Sequence, residues 1–198
     1  MGEILERIYG VLFQPTDTLR DISRQEPLQH SLIVIVFVTL LTTWTGYFTI
    51  LGRSAAVFGT LIITLVMWLS GSAIAHLAAE LLGGTGRSKG LLCANGFIQL
   101  PRIFTVPLLV ASFYLPAVLQ KPLLIIVGSG LFIWEFVLGL IAIRECYGFS
   151  TGRAFLTAIA PYLVVLLPLI ALTFIAATVL VKALTLMGSG DMLPMFMK

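Results

Sequence analysis

Charge is what this chain has least of. Only 11 % of its 198 residues are Asp, Glu, Lys or Arg, against about a quarter in ordinary soluble domains. No run of lysines and arginines exists, and the net charge of +3 is scattered through short segments, which excludes a nucleic-acid partner. Cysteine is nearly absent. Cys93 and Cys146 form no CxxC or Cys/His spacing, so a zinc or dithiol site is excluded and two structural thiols are expected. Histidine is limited to His30 and His76, without HExxH, and no GxSxG element occurs. The turn GGTGRSKG has glycines but not the Walker order, because Lys89 lies between Ser88 and Gly90 rather than before Ser or Thr. With no nucleophile, metal set or phosphate loop to name, the chain is expected to be non-enzymatic and to need no cofactor or metal. A cleavable leader is not expected either, since Glu3, Glu6, Asp17, Asp21 and Glu26 crowd the first thirty positions where a basic region and an apolar core would be needed.

What is abundant is apolar sequence: 59 % hydrophobic residues and a mean hydropathy of +1.05. A bilayer core of about 30 Å takes about 20 helical residues, and five stretches reach that length, at 31–51, 56–82, 91–115, 123–143 and 157–184. The expected fold is therefore all-α and integral to the membrane. It has three parts: an amphipathic cytoplasmic or interfacial segment at 1–30, a five-helix membrane domain at 31–184 and a short external tail at 185–198. In the first part, Ile4, Ile8, Val11 and Leu12 have helical spacing, Pro15 ends the run, and Thr16 or Asp17 is placed to cap a second short helix through Arg24. Lys and Arg weigh the two sides unequally. Arg7, Arg20, Arg24, Arg87, Lys89, Arg144 and Arg153 stand against Arg53, Lys121, Lys182 and Lys198, which places the N-terminus in the cytoplasm and the C-terminus outside.

Polar residues within the apolar segments are the candidate site. At a rise of about 1.5 Å per residue from the cytoplasmic ends, Glu80 lies roughly 3 Å deep, Asn95 roughly 6 Å, His76 roughly 9 Å, Gln99 and Glu135 roughly 12 Å and Arg102 roughly 16 Å. Asn95, Gln99 and Arg102 share one face if 91–115 is a continuous helix. An unpaired charge at mid-membrane costs about 2.5 to 3.5 kcal/mol on insertion scales. The similar depths of Arg102 and Glu135 therefore predict an intramembrane ion pair. Two cytoplasmic turns look alike, Thr85-Gly86-Arg87 and Thr151-Gly152-Arg153, each ahead of a proline-interrupted helix.

VLFQPTDTLRDI near the start, the hairpin HLAAELLGGTGRSKGLLCANGFIQLP and IRECYGFSTGRAF before the last span together resemble the bacterial and archaeal branch of the Yip-domain family, named for Ypt/Rab-interacting proteins. The resemblance implies five spans, a cytosolic N-terminus and a prokaryotic cytoplasmic membrane. Rab binding, which it implies for eukaryotic members, does not carry over, because the DLYGP-type motif is missing. Two functions remain open. One is a scaffold or membrane-organising factor whose partners are the lipid bilayer and another protein or a second copy. The other is a small transporter or channel subunit with a cytoplasm-facing cavity lined by His76, Glu80, Asn95, Gln99, Arg102 and Glu135. Neither identifies a small-molecule ligand.

Overall fold

The computed structural model describes residues 2–47 and 54–188, with side chains at 2–43 and 57–185. The described residues are mostly helical and hold no strand: α1 Gly2–Phe13, α2 Pro15–Gln25, α3 Leu28–Tyr47, α4 Ser54–Leu81, α5 Ser88–Phe97, α6 Thr105–Ser112, α7 Ala117–Tyr147 and α8 Thr151–Gly188. A 3-10 turn, Leu100–Phe104, stands between α5 and α6. Four segments, Val57–Leu81, Ser88–Ser112, Ala117–Tyr147 and Thr151–Thr185, are long and apolar enough to cross a membrane, and Leu28–Thr43 is a shorter apolar helix. The end of the first expected span, 48–51, and the tail from 189 lie outside the described residues.

Local chemistry explains the boundaries. Gln14 precedes α2 without a side-chain cap, and Pro15 rather than Thr16 or Asp17 opens the helix. Proline suits a first helical turn, where its missing N–H is not needed. Glu26 ends α2 in the left-handed region at φ 51°, and Pro27 stops the helix from continuing. α7 ends at Gly148, φ 66°, whose N–H donates to the Arg144 carbonyl. A β-carbon is strained in that conformation.

The stretch 91–115 departs from the expected single helix. Pro101 has no N–H to return to the Phe97 carbonyl, so α5 stops at Phe97 and the chain tightens into the 3-10 turn before α6. Across this break Asn95 and Arg102 turn to different neighbours, Asn95 to Ser72 of α4 and Arg102 to Glu135 of α7.

Met1–Ala160 and Pro161–Lys198 are separate compact units. In the second, the described residues 161–188 are helical, with Pro161 and Pro168 inside the helix. The first contains two apolar clusters. In one, Val11, Leu19 and Ile22 from α1 and α2 meet Val34 and Val38 of α3, Phe97 of α5, Leu100, and Leu138 and Ala142 of α7. In the other, Ala75 and Ala79 of α4 meet Leu91, Ile143, Tyr147, Phe149 and the first turns of α8 at Ala154 and Ala158. Burial of α1 and α2 against the long helices is what fixes the polar end of the bundle.

Candidate functional site

α4 organises the polar end. Trp68, Ser72, His76 and Glu80 recur every four residues and so share one face. Each has a partner. Trp68 Nε1 donates to the Leu92 carbonyl at 2.9 Å, and Asn95 Nδ2 donates to Ser72 Oγ at 2.8 Å. His76 Nε2 stands 3.2 Å from Glu80 Oε1, while its Nδ1 is 2.7 Å from the Tyr147 hydroxyl. A carboxylate can only accept, so Nε2 donates to Glu80, and Nδ1 shares the second hydrogen bond with the Tyr147 hydroxyl.

Tyr147 in turn seats the first turn of interest. Its ring stacks on Phe149 with centroids 5.6 Å apart, and a β-carbon on Gly86 would come within 2.6 Å of that ring. Only hydrogen fits there. Gly86 therefore lets Thr85 and Arg87 close over the end of α7, while Thr151, Gly152 and Arg153 form the exposed first turn of α8.

The N-terminal helices are tied in by charge. Arg20 of α2 donates to Glu145 Oε2 of α7 from Nε at 2.8 Å and from Nη2 at 2.6 Å. Arg144 holds the other oxygen, with both its donors at 3.0 Å. The hydrogen bonds it donates to Glu145, and that carboxylate's charge, push the Arg20 guanidinium further above its ordinary value. At the other end of α2, Glu26 faces Lys89 at 3.4 Å and Arg87 at 3.8 Å, and Gly90 rests on the Ser23 carbonyl. A cleft of about 500 Å³ remains between α1 and α2, lined in part by Glu3, Glu6, Asp17 and Asp21.

Arg102 and Glu135 form a two-point ion pair at 2.8 and 3.0 Å. Glu135 is mostly covered, whereas the Arg102 side chain is 49 % exposed. Reversing either charge is expected to reduce the monodisperse fraction recovered in mild detergent, and Arg102→Glu with Glu135→Arg together to restore part of it. A double variant no better than the singles would mean that the pair does not stabilise the fold. Gln99, three residues before Arg102, has a buried Oε1 without a hydrogen-bond partner.

The structure thus joins His76 with Glu80 and Arg102 with Glu135, sends Asn95 to α4 and leaves the Gln99 oxygen unpaired. Sequence reasoning missed Tyr147, Glu145, Arg20, Ser72 and Trp68. Arg20 and Glu145 are 125 positions apart, and no local pattern connects them. Ser72 had a local signal, four residues before His76. Among the described residues no group of three or more His, Cys, Asp or Glu could hold a metal ion.

The sequence model of the Yip1 domain matches residues 9–173. No curated protein and no solved structure gives a significant match.

Proposed function

The chain belongs to the Yip1 domain family, and we propose that it is a five-span scaffold or membrane-organising protein, non-enzymatic, with its polar end in the cytoplasm. The excess of Lys and Arg at that end supports the orientation, N-terminus inside and C-terminus outside. A prokaryotic cytoplasmic membrane fits the branch that the motifs resemble. The observation that carries the scaffold reading is the clamping of α2 across α5 and α7 by Arg20–Glu145, Glu26–Lys89 and the close approach of Gly90 to Ser23. A hairpin held so firmly offers a fixed surface, with an acidic cleft, to a protein partner or a second copy.

Photo-crosslinking in native membranes tests this. A benzophenone amino acid at Asp21 or Arg24, both exposed on α2, is expected to give one discrete adduct. Glu145→Lys, which repels Arg20, is expected to weaken it. Absence of any adduct from either position removes the scaffold reading.

A transporter reading has one observation in its favour, the interrupted helix at Pro101 beside Arg102, Glu135 and the unpaired Gln99 oxygen, because discontinuous helices line many transport sites. Ion or solute flux in proteoliposomes that is unchanged by His76→Ala and Glu135→Gln removes that reading.

A further inference from the structure

Crossing the hydrocarbon core takes about 20 helical residues, and the span Ser88–Ser112 has 25. Any stretch of that length drawn from it contains Arg102 with at least five residues on either side, so Arg102 lies about 8 Å or more inside the core wherever the boundaries fall. Its guanidinium is not sealed there. The side chain is 49 % exposed, and only Nε and Nη2 are engaged, by the two oxygens of Glu135. A guanidinium carries five N–H groups. Among the described residues the others have no acceptor. Hydrocarbon offers none, and a charged donor left facing it is unfavourable enough to require a polar partner.

Composition restricts what that partner is. Residues 161–188 contain no Asp, Glu, Asn or Gln, and Thr173, Thr178 and Thr185 each donate to a carbonyl of their own helix. A lipid phosphate belongs to the surface, not to this depth. The carboxylate that the chain does bring to the level of Arg102 is Glu135. A second copy, related by a two-fold axis along the membrane normal, presents its own Glu135 at the same depth.

Glu135 stands where such a copy has access. On α7 it borders the buried stripe of Leu131, Leu138 and Ala142, and by helical period Gly128, Phe132 and Gly139 lie on its other flank. Phe132 is 56 % exposed, and a β-carbon at Gly128 or Gly139 meets nothing within 4 Å. Glycine inside a helix lowers its stability relative to alanine, which close approach of a neighbouring helix offsets.

We propose that two copies of the chain meet along this flank of α7, each Arg102 bridging its own Glu135 and the partner's Glu135. Two guanidinium groups and two carboxylates then close a neutral ring inside the membrane. The inference deepens the scaffold reading: it rests on the spans given there, names a second copy as the partner within the bilayer and leaves the cleft between α1 and α2 to a different protein.

Disulfide crosslinking of the full chain in native membranes tests it. Single cysteines replace Phe132 or, on the opposite face of α7, Ile126, which is 70 % exposed, in a Cys93→Ala, Cys146→Ala background, and copper phenanthroline oxidises them. Position 132 is expected to give a species of twice the chain's mass, at a yield about five-fold or more above position 126. Gly139→Leu, which fills the open flank, is expected to lower that yield about five-fold while thermal unfolding in mild detergent stays as in the parent. No dimer at 132 means that lipid or a different protein covers the flank and overturns the proposal. Equal yields at 132 and 126, or a yield that Gly139→Leu leaves unchanged, overturn it too, and all three results leave the scaffold reading standing. Reaction of position 132 with a charged, water-soluble maleimide would show that water rather than a second copy meets Arg102, and would favour the transporter reading over the scaffold.

Discussion

Phe97→Ala is expected to cost about 3 to 5 kcal/mol of stability, the range for removing a buried aromatic ring from a packed core. Phe97 is fully buried, and its cluster draws on α1, α2, α3, α5 and α7. The cavity would thus open where the N-terminal hairpin meets the long helices, and no one neighbour can move in to fill it without leaving another. Chemical or thermal denaturation of the chain in mild detergent measures the loss. Phe97→Leu keeps most of the volume and is expected to cost less than about 1.5 kcal/mol. Equal stability of Phe97→Ala and the parent would mean that α1 and α2 do not close over a real core.

Gly90→Ala carries the second large effect. An added β-carbon at this position meets the carbonyl of Ser23, a backbone group that cannot swing aside as a side-chain tip can. α2 and α5 must separate, and overpacking of this kind costs about 1 to 3 kcal/mol. The ties of Glu26 to Lys89 and Arg87 lie within a few residues of the contact, so the loss is expected to release the hairpin as a unit. Limited trypsin digestion reads this out as faster cleavage after Arg20 and Arg24. Gly128→Ala is the control, because a β-carbon there meets nothing within 4 Å, and it is expected to leave the digestion pattern unchanged. Parent-like cleavage of the Gly90 variant would show that the approach of α2 to α5 is loose.

Much of this architecture was legible in composition. Scarce charge and long apolar runs require helices in lipid, where no water satisfies an exposed backbone. Pro15 and Pro27 bracket α2, and Gly148 closes α7, as their backbone preferences dictate. The break after Phe97 was harder to place. Pro101 was visible, but prolines also persist inside continuous helices, as Pro122, Pro161 and Pro168 do here; neighbours decide which outcome is cheaper.

The candidate site divides along the same line. His76 and Glu80 are four apart on one helix, and their contact follows from helical pitch. Tyr147, by contrast, reaches His76 across 71 positions, and Arg20 reaches Glu145 across 125. Such pairs have no local signature, because their spacing is set by how helices pack rather than by the chain between them.

By itself, the sequence determined that this is a helical membrane protein, which residues are apolar enough for lipid and which few polar groups would need partners, since those follow from transfer free energies and helical period. Only the tertiary structure decided which partners they take and where α1 and α2 rest. Those choices depend on the packing of side chains from distant segments into shared clusters, and on close backbone approaches that glycines such as Gly86 and Gly90 allow.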